Sequence, residues 1–270
     1  VSISAARLPN WHLTIRIILG ILRIMEPEIL YEDNHVIAVN KPAGLLTQSD
    51  ISGDPSLLDE LKAYIKKRDN KLGNVFLGMV QRLDRPVSGA IIFAKTSKAA
   101  SRISEQIRQH RLEKIYAVVS DLKQGAATGY HEWTDLKDNL LRIKDKTVVS
   151  RYSTDRTQLG ILKVRTLCVG REHGFHLVRL VTGRKHQIRA QLSHAGWPVS
   201  GDRKYGSKTG DPQNRGIGLH SCYCRVKHPV KQNAIGISAR LPEAMRNCFQ
   251  ADELKTIKAG LKYELESLET

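Results

Sequence analysis

The stretch VFLGMVQRLDRPVSGAIIFAKTSKAASRISEQIRQHRLEKIYAVVSD, Val75 to Asp121, decides the fold. Residues 75–81 and 89–95 are apolar and β-rich, and RLDRPVSG between them is punctuated by Pro86 and Gly89, so two strands present one charged turn. Behind them Ala99, Ile103 and Ile107 recur four apart, with Thr96 or Ser97 placed to accept from the free amides of a helix start. KIYAVVSD then returns to strand, Tyr116 on one face and Ile115, Ala117 and Val119 on the other.

Upstream, ILYEDNHVIAVNKP (29–42) reads as two short strands around a turn at Asp33 and Asn34. A loop over 41–56 follows, then a helix over 57–68: Ser56 and Asp59 resemble a capping box, and Leu57, Leu58, Leu61 and Ile65 mark one apolar face. Downstream, residues 124–160 are polar and irregular and read as insertion loops with brief β-like pieces at WTD and TVVS. LGILKVRTLCVG and FHLVRLV form a strand pair, HQIRAQLSHAG is a short helix closed by Gly196, and strands return at LHSCYCRVKHPV and NAIGISARL. Residues 203–216, rich in Gly, read as a mobile surface loop. Many strands, few helices and no strand–helix rhythm with a Gly-rich phosphate fingerprint predict an α+β domain: a long mixed, mainly antiparallel sheet flanked by helices and loops, spanning 25–270. Residues 1–24 read as an N-terminal extension or displaced start, with a short amphipathic helix as the alternative.

The 270 residues carry 43 Lys plus Arg against 27 Asp plus Glu, a net charge of +16 in a globular composition, which points to an anionic polymer as partner. Four cysteines are too few for a disulfide scaffold and imply reduced thiols in the cytoplasm. No apolar run of membrane length occurs, and the one candidate targeting segment, WHLTIRIILGILRIM, is interrupted by Arg16 and Arg23.

Three places could carry chemistry. Asp84, flanked by Arg82 and Arg85 in a tight loop, is either a carboxylate kept ionised for use as nucleophile or base, or a turn cap paired with arginine on the surface. In VTGRKHQIRAQLSHAG (181–196), Arg184, Lys185, His186 and Arg189 crowd a strand-to-helix junction suited to phosphate, unless they are merely a basic helix start. Arg189 lies at the margin of the apolar face, within reach of bidentate pairing with a carboxylate. Tyr116 either shows its ring to a pocket or packs in the core. His220, Cys222, Cys224 and His228 share a strand face, but steps of nearly 7 Å along a strand do not fit tetrahedral zinc, so no metal is expected.

Five segments in order, NKPAGL (40–45), QRLDRPVSGAIIFAKT (81–96), EKIYAVV (113–119), GRKHQIRAQLSHAGWPVSGDRKYG (183–206) and GLHSCYCRVKHP (218–229), resemble the RluA-like family of RNA pseudouridine synthases. The resemblance covers about residues 28–240 and implies the pseudouridine synthase fold and isomerisation of uridine in ribosomal or transfer RNA, with no metal or organic cofactor. It makes Asp84 the catalytic aspartate, Arg82 the arginine that helps displace the target nucleotide, Tyr116 the tyrosine that stacks on the base, and Arg189 the partner of the aspartate. Asp84 would act through an adduct at C1′ or through a glycal, and Tyr116 would also be positioned to take the C5 proton. Arg85, Arg184, Lys185, His186 and, on the 57–68 helix, Lys62, Lys66 and Lys67 are expected phosphate contacts. Gln81 and Val87 depart from the family's His and Thr, which predicts altered local hydrogen bonding or target preference. No small RNA-binding domain of the kind many relatives carry is evident, so recognition is expected to rest on the basic surface and the loops at 130–155 and 203–216, in a monomer with no obligate protein partner. The rival reading is a non-catalytic RNA-binding or ribosome-assembly protein. A base deaminase is excluded because its HxE and PCxxC signature is missing.

Overall fold

A computed structural model of the chain describes residues 26–122, 129–210, 216–231 and 233–269. The expected extension at 1–24 falls outside the described residues. Eleven strands form one sheet: β1 (Ile29–Glu32), β2 (Val36–Lys41), β3 (Gly78–Met79), β4 (Ser88–Ala94), β5 (Glu113–Asp121), β6 (Thr134–Ile143), β7 (Lys146–Ser150), β8 (Thr157–Val169), β9 (His173–Leu180), β10 (Leu219–Lys227) and β11 (Ala234–Ser238). Their order is β1-β2-β4-β10-β5-β9-β8-β6-β7, with β3 beside β4 and β11 beside β10. Every pairing is antiparallel except β4 with β10. This is the mixed, mainly antiparallel α+β sheet that the sequence predicts.

Strand alternation sends two sets of side chains to two faces. Ile37, Val39, Ile91, Phe93, Tyr116 and Val118 face one way and meet Leu57, Leu61 and Ile65 of α1 (Leu57–Arg68) and Ile188 and Leu192 of α3 (Gln187–His194). Their neighbours Val36, Ala38, Ala90 and Ile92 point the other way onto α2 (Ser97–Arg108), and Ile115, Ala117 and Val119 onto Met245 of α4 (Glu243–Arg246) and Ile257 of α5 (Ala251–Glu269). Both faces of the central strands are therefore buried. The Ser56 capping box forms as expected, Ser56 Oγ accepting from the Asp59 amide, and Thr96 rather than Ser97 caps α2.

The sheet's two halves meet where β4 runs beside β10, and this junction fixes the site. Their parallel contact is short, His220 against Ser88 and Ser221 against Gly89. Farther along, β11 takes over that edge of β10, and β3 takes over the corresponding edge of β4. Gly89 has φ +116°, and a Cβ there would stand 2.3 Å from the Ser221 carbonyl oxygen, so the close approach of the two backbones requires glycine. One register row crosses the junction: Lys41, Gly89, Ser221, Tyr116 and Val178 are successive cross-strand partners.

Three expectations are corrected. The apolar run 75–81 supplies only the two-residue β3, because β10 already occupies the start of that edge of β4. The polar stretch 134–160 is not a set of insertion loops: β6 and β7 form a hairpin turned at Lys144, and β6 pairs with β8 from Thr134 to Leu141. It reads as irregular because most of its side chains are exposed or half-buried and need not be apolar. The segment from 203 is anchored, not mobile, at its start: Arg203–Tyr205 is a 3-10 turn and Tyr205 and Ser207 are buried, while 211–215 lie outside the described residues. Finally, α5 was not anticipated. Its Glu264 is buried and clasped by Arg165, Arg179 and the Trp133 indole, which docks the helix on β8 and β9.

Candidate active site

The loop bearing Asp84 is held by its backbone on several sides. Thr47 Oγ1 donates to the Leu83 carbonyl at 2.8 Å and accepts from the Leu83 amide, the Gly44 amide donates to the Arg85 carbonyl at 2.8 Å, and the Ile217 amide donates to the Pro86 carbonyl at 3.2 Å. From below, the ammonium of Lys41, wholly buried in the junction row, donates to the carbonyls of Pro42, Leu45 and Arg85. Burial draws the Lys41 ammonium down to about 7, with the Asp84 carboxylate opposing that fall. A carboxylate on a loop so fixed is presented in one geometry.

Arg189 meets it from α3. Its Nη1 lies 3.2 Å from Asp84 Oδ2, so the two residues that the resemblance pairs are in contact. The guanidinium is 3% exposed and the Asp84 side chain 30%, so the acid faces solvent and the base supports it from behind. The second carboxylate is one that sequence reading missed: Asp202, fully buried, accepts from Arg189 Nε at 2.6 Å and Nη2 at 2.9 Å. Burial disfavours the Arg189 charge, yet Asp202 and Asp84 together outweigh that and hold it protonated. Tyr205 closes the back wall, its ring 4.8 Å from the guanidinium. Both residues lie in GDRKYG, within a segment that carries the resemblance.

The other expected site residues divide. Tyr116 is buried on the same sheet face, and burial, helped by the Asp84 carboxylate, pushes its phenol above the ordinary tyrosine range. That favours a neutral ring for stacking and disfavours a tyrosinate as acceptor of the C5 proton. His186 turns inward: its Nδ1 lies 2.9 Å from the Tyr205 hydroxyl and its Nε2 3.5 Å from Asp84 Oδ2, and burial lowers its imidazole to about 4, which leaves it neutral at pH 7. It belongs to the surroundings of Asp84 and is not a cation for phosphate. Its left-handed backbone, φ +53°, makes that inward turn at the entry to α3. Arg85 is paired with Asp54 at 2.7 Å and bonded to the Gly44 carbonyl, so it braces the loop. Arg82 is exposed and has no ion-pair partner among the described residues, which leaves it available to an incoming ligand. Arg184 and Lys185 are exposed just before α3, although the Arg184 amide is already taken by Gln187 Oε1. On α1, Lys66 and Lys67 are exposed and Lys62 half-buried.

At the departures from the family pattern, Val87 packs into the core and the Gln81 amide nitrogen is buried without a hydrogen-bond partner among the described residues. The four positions that share a strand face in the sequence, three in β10 and His228 just past its end, have separate partners: His220 with Ser88, Cys222 with the Ile115 carbonyl, Cys224 in the apolar cluster with Val226, and His228 with Asp33. Among the described residues, no group of three or more His, Cys, Asp or Glu is disposed to hold a metal, and no helix is long and apolar enough to cross a membrane.

If Lys185 contacts a phosphate, Lys185→Ala should lower the slope of log affinity against log salt by about 0.7–0.9. Filter binding of a folded RNA at several salt concentrations measures it, and an unchanged slope would remove Lys185 from the interface.

Residues 35–194 match the family described as RNA pseudouridylate synthase. Among curated proteins, the chain is 33% identical to the tRNA pseudouridine synthase C of Yersinia pestis, over 80% of this chain and 87% of that protein. It is 28% identical to the ribosomal large subunit pseudouridine synthase D of the same organism, over 83% of this chain and 70% of that protein. Among solved structures, human RNA Pseudouridylate Synthase Domain Containing 4 shares the fold with a TM-score of 0.64 at 19% identity, covering 87% of this chain and 95% of that one.

Proposed function

The chain belongs to the RNA pseudouridylate synthase family, and from that premise we propose that it isomerises specific uridines of ribosomal or transfer RNA to pseudouridine, with Asp84 as the catalytic carboxylate. The observation that carries the reading is the half-exposed Asp84 carboxylate, fixed on a braced loop and backed by a buried guanidinium 3.2 Å away.

The reaction is an isomerisation and leaves the composition of the RNA unchanged. The N1–C1′ bond breaks, the uracil turns, C5 bonds to C1′, C5 loses its proton and N1 gains one. A carboxylate promotes the first step either by bonding to C1′ or by taking the C2′ proton to give a glycal, and both routes need it ionised. Arg189 keeps it so. The uridine must leave its stack to reach the loop, and Arg82, exposed beside Asp84, is placed to fill the vacated space, while Tyr116 offers a neutral ring to the base. The surplus of 16 positive charges supplies affinity for phosphate without base readout. We assign this activity to a cytoplasmic monomer.

The test uses unmodified transcripts of transfer and large-subunit ribosomal RNA carrying uridine tritiated at C5. Catalysis releases tritium to water in proportion to pseudouridine formed, and pseudouridine mapping in cells with and without the gene then identifies the position. Tight binding of these RNAs with no tritium release, together with unchanged maps, would replace this reading by the non-catalytic RNA-binding one.

A further inference from the structure

The connection between β7 and β8, residues 151–156, holds one aromatic ring out into solvent. Tyr152 is 74% exposed, and among the described residues its ring has no aromatic or cation–π contact and its hydroxyl no hydrogen bond. The loop that carries it is nonetheless folded on itself. Ser150 Oγ donates to the Tyr152 carbonyl at 2.9 Å and accepts from the Tyr152 amide. The Thr154 amide donates to Thr157 Oγ1 at 2.8 Å, and Thr157 returns its amide and hydroxyl protons to the Thr154 carbonyl. Arg151 and Arg156 flank the ring along the chain, both exposed and without an ion-pair partner among the described residues, and Asp155 is the loop's one acid.

Both strands that carry the loop are tied to the approach to α3. On β7, Thr147 Oγ1 donates to the Lys185 carbonyl at 2.8 Å, and on β8 the Leu159 carbonyl accepts from Arg184 Nε at 3.2 Å. The next residue, His186, lies 3.5 Å from Asp84. Tyr152 follows Thr147 by five residues, at most about 18 Å of extended chain. A strand of RNA with one nucleotide at Asp84 therefore meets the exposed Arg184 and Lys185 and then this loop within a few nucleotides.

We propose that the β7–β8 loop is a docking platform for an unpaired nucleotide of the substrate RNA, flanking the one at Asp84: the ring of Tyr152 stacks on its base, and Arg151 and Arg156 hold the phosphates to either side. This rests on the reading of the substrate as RNA. An aromatic face between guanidinium groups is the chemistry that takes up a single-stranded base, because the π-face serves any base and the charges track the backbone. A duplex offers the loop only phosphate, since its bases are already stacked and paired. Folding the loop before the ligand arrives lowers the ordering cost of binding, and the hydrogen bonds from Ser150, Thr154 and Thr157 supply that order without spending Tyr152, Arg151 or Arg156 side chains. The loop thereby gives the catalytic domain a means of selecting uridines that have an unpaired neighbour.

Filter binding of the same transcripts tests the proposal, with a blunt RNA duplex as a second probe. Tyr152→Ala should weaken binding of the transcript by about tenfold, Tyr152→Phe should keep wild-type affinity because it keeps the ring, and both proteins should bind the duplex as the wild type does. The control is Tyr263→Ala: that ring is also exposed, but its neighbours along α5 are Lys262, Glu264 and Glu266, and its loss should leave RNA affinity unchanged. Arg151→Ala and Arg156→Ala should each lower the salt slope on the transcript by about 0.7, whereas Tyr152→Ala, which removes no charge, should leave the slope where it is. Wild-type affinity in Tyr152→Ala would overturn the proposal. So would an equal loss of affinity for transcript and duplex, or a loss that Tyr152→Phe shares, since neither is the signature of a stacked base. Tritium release by the wild type is measured in parallel. Release together with binding indifferent to Tyr152 sinks the platform alone, whereas binding that depends on Tyr152 without release sinks the assignment of activity and leaves the platform standing.

Discussion

Asp84→Asn should reduce tritium release from C5-labelled RNA by about 10⁴-fold or more, the scale on which loss of a reacting group is felt, while affinity for the RNA holds or rises. The substitution keeps the size of the side chain and an oxygen that can still accept from Arg189 Nη1. It removes the carboxylate charge that both routes need. Arg189 keeps its bidentate partner Asp202, so no buried cation is orphaned and the fold has no reason to yield. Affinity should not fall, because a carboxylate within the footprint of a polyanion repels it. Equal melting temperatures for the two proteins would separate chemistry from stability. Product formation near the wild-type rate would mean that some other group meets the ribose.

Gly89→Ala should act in the opposite manner, through the fold. The residue combines φ +116° with a backbone approach that leaves no space for a methyl group, the Ser221 carbonyl oxygen lying 2.3 Å from where its Cβ would sit. Backbone strain of about 1–3 kcal/mol adds to overpacking of about 1–3 kcal/mol, so a loss of roughly 3 kcal/mol or more is expected against a total stability of about 5–15 kcal/mol. Urea denaturation followed by circular dichroism measures it. Activity should fall as well, even in the folded fraction, because Gly89 is five residues from Asp84 and lies in the row between Lys41 and Tyr116. A midpoint equal to that of the wild type would show that β4 and β10 can separate at their junction without cost, and would leave the placement of the site unexplained.

Much of the architecture was legible because it is local. Ser56 and Asp59 announce the start of α1, Thr96 the start of α2, and Gly196 the end of α3 by rules that act within one turn of chain. The alternation in EKIYAVVSD correctly placed Tyr116 opposite Ile115, Ala117 and Val119. The β6–β7 hairpin escaped for a physical reason: an exposed strand owes its existence to cross-strand pairing and not to its own apolar pattern. The helix α5 carries a legible stripe, Leu254, Ile257, Leu261, Leu265 and Leu268. In the site, Asp84 and Arg189 were identified as a pair, yet Asp202 and Tyr205 were passed over, since nothing in GDRKYG says that its acid is buried.

The sequence by itself determined the chemistry on offer: one aspartate between arginines in a strand-to-strand loop, a basic helix start, and a charge surplus that calls for a polyanion. Those are properties of composition and of neighbours along the chain. Tertiary structure alone decided how the offer is used. It turned Arg85 toward Asp54 and His186 toward Asp84, spent the charge of Lys41 on three carbonyls, and gave Arg189 two unequal partners, one 13 residues away and the other 105. The reason is range. Hydrogen bonds within a turn are dictated by adjacent residues, whereas burial and the sharing of one guanidinium between two acids depend on which strands lie side by side, and here that is settled where β4 meets β10 at a glycine.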